Sequence, residues 1–515
     1  MGYNLLEKKW INAIDKNGNK VKVSIMDVFL FGHELRDIKG IDDIDISEYD
    51  IKRLLILLTM DMYRFYLRSD RRIELYREGR FNPEIVHAYF DMLKKEGVSF
   101  DLLDKERPFL QCSLKYASEI DGFFERKCGA AVLSCRIPTE SNIVFYTKDG
   151  EYGDIPVPLD VYAYYLIHTC TTAKGIGGGY YDSSIAGDEI VDLIRGENVF
   201  DTLILNCALV PEDATKPMWR WETPYDLGHV DILSGMMIPS NLVRPDFDSV
   251  DEVNETIRYI YKNPVSKYEP ANELKKHYKE VWLTQFEPHV SLDSSKKRIA
   301  PRKYIGLFKM CDMLGFSDEN TDKMPRLDEV LNAKNIKFYI DNIGDLFNAR
   351  IDIYGIDYHN AVVEWSQKIE NEIPVPSIVK NADNINLVSD YVYKARKITK
   401  LFDSGKKRES KGCSYEKTEG IRCRKKESEE IIMKKFLEYA EDLFREILTK
   451  ISSNEEISSE ELDGYYLSLQ RYAVKTFREN EISSSDIFLY SKKEKELKIA
   501  INNVLHPKAK CSSGK

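Results

Sequence analysis

The sequence predicts an α+β fold in two parts: a large, irregular, mixed α/β N-terminal domain over residues 1–376, then a C-terminal four-helix bundle over 377–515. Three observations carry this. Up to about residue 376, short strand-like and helix-like patterns alternate. Two prolines in "EIPVPSIV" then interrupt the pattern and mark a boundary. From Ala382 onward, apolar residues recur almost only at helical spacing. The 515 residues also exceed the roughly 250–300 that a single core supports.

Taken in order, "KVKVSIMDVF" reads as a strand leading into a helix, and "EYDIKRLLILLTMDMYRFYLRS" as a long buried helix. "SNIVFYTKDGEYGDIPVP" reads as strand, turn and loop, with Asp149-Gly150 as the turn signal. "VPLDVYAYYLIHTCTT" suits a helix with Asp160 near its start. "DTLILNCAL" and "ARIDIYGIDYHNAVVEWSQ" suit strands, because their β-branched and aromatic runs are bounded by turn residues. Four amphipathic helices are expected at about 383–402, 428–453, 456–480 and 484–504, with Ser458 or Ser459 capping the third. Four such helices in sequence imply a bundle. The tail "HPKAKCSSGK" is expected to be disordered.

Composition narrows the function. Hydrophobic residues are 43% of the chain, enough for a large core, and no run of about 18 apolar residues predicts a membrane span. The opening "MGYNLLEKKW" has no apolar signal region, and Leu6 stands where myristoylation requires Ser or Thr. A cytoplasmic protein is expected. Nine cysteines lie scattered without a CxxC pair, which points to free thiols. A net charge of −10 argues against coating nucleic acid by bulk charge and leaves room for local basic patches.

The stretch "TTAKGIGGGYYDSSIAG" holds Gly175, Gly177, Gly178 and Gly179 within five residues. No GxxxxGK[ST] string is present, and the third position of a GxGxxG fingerprint counted from Gly175 is Tyr180. The kinase loop fails at the same place. "HELRD" ends in Asp37 where a zincin needs histidine, and the eight histidines show no metal spacing. There is no GxSxG string, and no carboxylate pair stands out. No catalytic residue, cofactor or metal is expected. Two uses of the glycines remain: a tight turn packed under another element, or a bare backbone that enters a narrow groove. The DNA minor groove, about 6 Å wide, is such a groove.

Two basic stretches invite a similar pair of readings. "SGKKRESKGCSYEKTEGIRCRKK", an insertion near 404–426, is either a solvated loop or a phosphate-contacting arm, and so is "SSKKRIAPRK" at 294–303. The candidate phosphate contacts are Lys174 beside the glycines and Lys406, Lys407, Arg408, Arg424, Lys425 and Lys426. An enzyme with a glycine-rich phosphate loop and a purely structural scaffold are the rival classes to a nucleic-acid reader.

The opening "NLLEKKWINAIDKNGNKVKVSIMDVFLFGHEL" resembles the start of the CasA family, the large subunit of the type I-E CRISPR surveillance complex Cascade. "ERPFLQ" at 106–111 is similar to a short family signature, "KGIGGGYY" to the family glycine loop, and "DIYGIDYHNAVVEWSQKIENEIPVP" to a later hairpin segment. These resemblances run in order along nearly the full chain, and the helical C-terminus resembles the family bundle. The resemblance implies a non-enzymatic subunit that helps recognise the protospacer-adjacent motif on double-stranded DNA through the minor groove. It also implies opening of the duplex and recruitment of the CRISPR helicase-nuclease. The partners implied are the other Cascade subunits, CRISPR RNA and target DNA, without a membrane. By resemblance, the groove contacts fall on Gly175, Gly177, Gly178 and Gly179 and on His359, Asn360 and Ala361. A further loop, with Asn142, Phe145, Tyr146, Thr147 and Lys148, falls near the guide end or the opened strand. Some relatives carry a paired-cysteine segment that this chain lacks, so no zinc is expected. A family lysine at the motif is matched only loosely, to Lys262 or Lys267.

Overall fold

The computed structural model describes residues 2–41, 46–68, 71–135, 155–173, 190–210, 212–221, 232–235, 237, 239, 241–264, 331–344, 348–359, 362–370, 372, 375–379, 381–402, 426–481 and 487–506. The chain divides into two compact units, one formed by Met1–Leu292 with Arg326–Asn371 and the other containing Glu372–Lys515.

The described strands of the first unit are β1 (Ile11–Asp15), β2 (Lys20–Val23), β3 (Leu35–Lys39), β4 (Lys127–Gly129), β5 (Val157–Pro158), β6 (Ile190–Arg195), β7 (Asn241–Pro245), β8 (Val250–Asp251), β9 (Thr256–Ile257), β10 (Tyr259–Pro264), β11 (Arg350–His359) and β12 (Val362–Glu370). They form four antiparallel three-stranded sheets ordered β2-β1-β3, β4-β10-β7, β12-β11-β6 and β5-β9-β8. Small sheets of this kind need helices to cover them. Those helices are α1 (Ile25–Phe31), α2 (Ile46–Met62), α3 (Arg72–Glu78), α4 (Pro83–Lys95), α5 (Leu114–Glu119), α6 (Leu159–Thr171) and α7 (Val199–Leu205), with a further helix at Leu331–Ile343.

Local chemistry explains where these elements begin. "KVKVSIMDVF" is β2 running into α1, as its pattern predicts. Ser24 and Asp27 form a reciprocal capping box there: Asp27 N–H donates to Ser24 Oγ at 3.0 Å and Ser24 N–H donates to the Asp27 carboxylate at 2.9 Å. The long buried helix is α2. Its run from Leu54 to Leu58 is buried on every side, so α2 lies inside the unit rather than across its surface. It ends at Met62, earlier than the pattern suggests, and a short 3₁₀ turn, Tyr66–Arg68, follows.

One expectation is corrected. "DTLILNCAL" is not a strand: its first half lies within helix α7. Asn198 caps that helix, its side chain accepting from Asp201 N–H at 2.9 Å, and every residue of Val199–Leu205 except Asp201 is buried. Burial on all sides removes the 3.6-residue alternation, and a short run of Leu, Ile and Thr then reads equally well as a core strand. Gly196 makes the turn from β6 into α7 possible. A Cβ there would lie 2.3 Å from Asp201 Cβ and 2.9 Å from Thr202 N.

The second unit is a four-helix bundle: Ala382–Lys400, Lys426–Ser452, Ser459–Glu481 and Ile487–Leu505. Each helix packs on the next and the first packs on the fourth, which closes the ring. Tyr391 of the first helix donates to the Ala440 carbonyl at 2.9 Å and stacks on Phe444 and Tyr466. Ser458 caps the third helix as expected, and Glu461 completes the box by accepting from Ser458 N–H at 3.1 Å.

Candidate nucleic-acid interface

β11 and β12 form a long antiparallel hairpin. Asp352 pairs with Glu370 at its base and His359 with Val362 at its far end, which leaves Asn360 and Ala361 as a two-residue connection outside the described residues. The register shifts between Asp357 and Tyr358, an irregularity that re-aims a strand just before its tip. The other edge of β11 takes β6, with Arg195 opposite Arg350 and Ile190 opposite Gly355. The hairpin therefore runs four residues past that last shared rung, roughly 13 Å at the strand rise. Ile190 is also the first described residue after the glycine-bearing segment. Ile190 sits at the tip-side end of the same sheet.

The base of the hairpin is held by ions. Lys52 of α2 lies 2.7 Å from Asp37 and 2.6 Å from Glu48. Lys368 of β12 lies 2.6 Å from the same Glu48 oxygen and 2.7 Å from Glu370. Lys39 of β3 bridges Asp37 at 2.8 Å and Glu370 at 3.2 Å. Tyr354 of β11 donates to Glu48 at 2.8 Å, and Arg195 of β6 donates to Asp352 at 2.9 Å. Four carboxylates thus face four cations, most of them enclosed. Burial works against the charge on Asp37, but the attraction of Lys52, Lys368 and Lys39 prevails and holds its carboxyl well below the usual range. The same contest lowers Glu48 and raises Lys52. Asp352 goes the other way. Burial raises it over the attraction of Lys52, Lys368 and Arg195, and its second oxygen, which accepts no hydrogen bond, sits 3.6 Å from Lys368 Nζ.

The end of α6 is held by a second buried group on α2. Asp50 accepts from Thr172 Oγ1 at 2.7 Å, from Thr171 Oγ1, and pairs with His168 Nδ1 at 2.8 Å. Asp50 is fully buried and His168 is 1% exposed. Burial opposes charge on His168, but Asp50 overrules it through attraction and a hydrogen bond, with the Cys135 thiol adding to the effect, and the pKa rises from 6.5 to about 10. The imidazole is a cation at neutral pH. Cys135 closes the 3₁₀ turn Ala130–Ser134, which packs on α6.

The sequence-predicted residues fall out as follows. Asn142, Phe145, Tyr146, Thr147 and Lys148 lie outside the described residues, within the gap that follows Cys135. Lys174 and Gly175, Gly177, Gly178 and Gly179 lie outside them too, between Ala173 and Ile190, as do Asn360, Ala361 and Lys406, Lys407, Arg408, Arg424 and Lys425. His359 ends β11 and Lys426 begins the second bundle helix. Lys267 is likewise outside. Lys262 sits in mid-β10 opposite Val243, where enclosure lowers its ammonium pKa against the opposing influence of nearby Cys128 and Cys135. The stems of three predicted segments are nonetheless linked: Cys135 meets His168, His168 meets Asp50, and β6 pairs with β11. Sequence reasoning missed Asp50 and His168, which make two of those links, and Asp37, Glu48, Lys52 and Lys368, which hold the hairpin base. The spacing of Glu48 and Lys52, one helical turn apart, was the only signal for any of them.

Among the described residues, no group of three or more His, Cys, Asp or Glu could hold a metal ion, and no helix is long and apolar enough to cross a membrane. Five cysteines, Cys112, Cys128, Cys135, Cys170 and Cys207, are free thiols.

A mixed α+β unit with a long hairpin, followed in sequence by a helical bundle, is the fold of CRISPR-associated proteins with solved structures. A chain titled "CRISPR RNA-guided surveillance complex" matches with a TM-score of 0.66 at 14% identity, covering 97% of this chain and 99% of that one. Thermobifida fusca Cse1 matches at 0.65 and 15% identity over 98% of each chain. Thermus thermophilus CasA (Cse1) matches at 0.59 and 17% identity over 98% of this chain and 99% of its own. No curated protein matches the sequence significantly. The family described as CRISPR-associated protein Cse1 (CRISPR_cse1) matches residues 4–476, and the chain belongs to that family.

Proposed function

We propose that this chain is the large subunit of an RNA-guided Cascade complex and that it reads a protospacer-adjacent motif in double-stranded DNA from the minor groove. The observation that carries the reading is the register of β6 on β11. It puts Ile190, the first described residue after the glycine-bearing segment, and His359, the last before the hairpin connection, towards one end of one sheet. The similarity to chains of CRISPR RNA-guided surveillance complexes, one of them pre-nicking, supports the Cascade part of the reading.

The chemistry follows from the groove. Its floor presents mainly acceptors, adenine N3 and thymine O2, with one guanine amino donor. Backbone amides of Gly175, Gly177, Gly178 and Gly179 donate to those acceptors, and the absent side chains let the main chain reach them. Asn360 can donate or accept, so it tolerates both A·T and G·C pairs, and the small Ala361 leaves room at the groove floor. Lys174 and the basic residues of 404–426 contact phosphates without reading sequence. Phe145 and Tyr146 lie against the guide end or the opened strand. The subunit promotes duplex opening, recruits the helicase-nuclease and performs no chemistry of its own.

The test is DNA binding by the reconstituted guide-RNA complex, with and without this chain, on targets with and without a candidate motif. The chain is expected to confer motif-dependent binding, and Gly178→Asp and Asn360→Ala to remove it. Binding that is unchanged by omission of the chain or by Gly178→Asp overturns the reading and leaves the glycines as a packing turn.

A further inference from the structure

We propose that the first turns of α2 set the distance between the hairpin and the glycine-bearing segment, with Thr172, Asp50 and Lys368 as positioning residues for motif reading. This rests on the reading of those two segments as the groove contacts.

The argument starts from helical geometry. Glu48 and Lys52 are four residues apart and share a face of α2, while Asp50 lies about 200° round the helix from Glu48. Glu48 and Lys52 grip the hairpin through Lys368 of β12 and Tyr354 of β11. Asp50 grips the end of α6 through His168, Thr171 and Thr172. Ala173, the last described residue before the glycines, is itself tied back by its N–H to the His168 carbonyl at 3.0 Å. The other end of the segment is fixed by β6 on β11. One short stretch of helix therefore touches the hairpin stem on one side and the departure point of the glycine segment on the other, and the sheet closes the circuit.

Stability alone does not account for this arrangement. Leu54, Leu55, Ile56, Leu57 and Leu58 already bury α2. Buried ions add little net stability over apolar replacements, because desolvation offsets the attraction. What ions and hydrogen bonds add is direction: each fixes a separation and an angle. A reader that must meet groove-floor atoms with two separate segments needs both held to about half an ångström.

The test uses the full chain in the reconstituted guide-RNA complex. It reads the ratio of binding to a motif-bearing target over a scrambled one, at fixed salt. Thr172→Val removes one hydroxyl from Asp50 and keeps the side-chain shape. It is expected to lower that ratio about fivefold, the equivalent of one lost buried hydrogen bond, and Thr172→Ser is expected to restore it. Lys368→Met is expected to lower the ratio from the hairpin side, with motif-independent binding unchanged. If Gly178→Asp removes discrimination while Thr172→Val and Lys368→Met both keep the wild-type ratio, the positioning role is wrong and the functional reading survives. If Gly178→Asp also keeps it, the functional reading fails first. Should Lys368→Met not assemble, the comparison of Thr172→Val with Thr172→Ser decides alone.

Discussion

His168 carries a positive charge inside the protein, and pH makes that visible. Its pKa is raised from 6.5 to about 10, so its charge stabilises the fold fully below about 6.5 and progressively less as pH rises towards 10. The melting temperature of the wild type should exceed that of Asp50→Asn by most near pH 6, and the gap should narrow steadily towards pH 10. A gap that widens with pH would rule out a charged His168. Lys52 is the counterpart at the hairpin base, 2% exposed with carboxylates at 2.7 and 2.6 Å. Lys52→Met strands those carboxylates and should cost roughly 3–5 kcal/mol in urea unfolding. Gly196→Ala drives a methyl group against Asp201 and the Thr202 amide and should cost about 1–3 kcal/mol. None of these was legible as a site. Asp50 and His168 are 118 positions apart, and an acid among the charged residues at the start of a helix gives no hint of so distant a partner.

Elements were easier to read than residues where one face meets water. β2 with α1, the hairpin, and all four bundle helices were legible because their periods survive: alternation of two in strands, of about 3.6 in half-buried helices. The bundle boundaries differ from expectation by only a few residues. Where burial is complete the period vanishes, and the α7 segment reads as a strand for that reason. The strands β6, β7 and β10 gave no expectation at all, since their pairing with β11 and with one another depends on residues far along the chain. The third bundle helix offers a clean check on cap chemistry. Ser458→Ala removes the acceptor for Glu461 N–H and should speed amide exchange in the first turn about fivefold, the equivalent of ~1 kcal/mol, leaving later turns unaffected.

At the scale of the whole molecule, a net charge of −10 bears on how the proposed reader would engage DNA. On the proposed reading, long-range attraction comes from local basic stretches, and the nine cations from Lys406 to Lys426 are the most numerous of these. Replacing Lys406, Lys407 and Arg408 with Gln should weaken binding equally on all sequences. Each lost contact should reduce the slope of log affinity against log salt by about 0.9. The family was legible in the sequence, and the family model matches residues 4–476. The joints between the segments that carry the resemblance were not, since they are made of ordinary Asp, Glu, Lys and Thr whose roles appear only after folding.

The hairpin base has one further consequence. Asp37, Glu48, Asp352 and Glu370 against Lys39, Lys52, Lys368 and Arg195 sum to zero, so the joint is electrically silent at the distance of a DNA backbone. Dissolved ions screen charges on the surface strongly and reach the enclosed members of the joint, Asp37, Glu48, Lys52 and Asp352, far less. On the proposed reading, grip and discernment are thereby uncoupled: a brackish buffer is expected to loosen the hold on every duplex while the preference for one sequence over another stays where the joint set it.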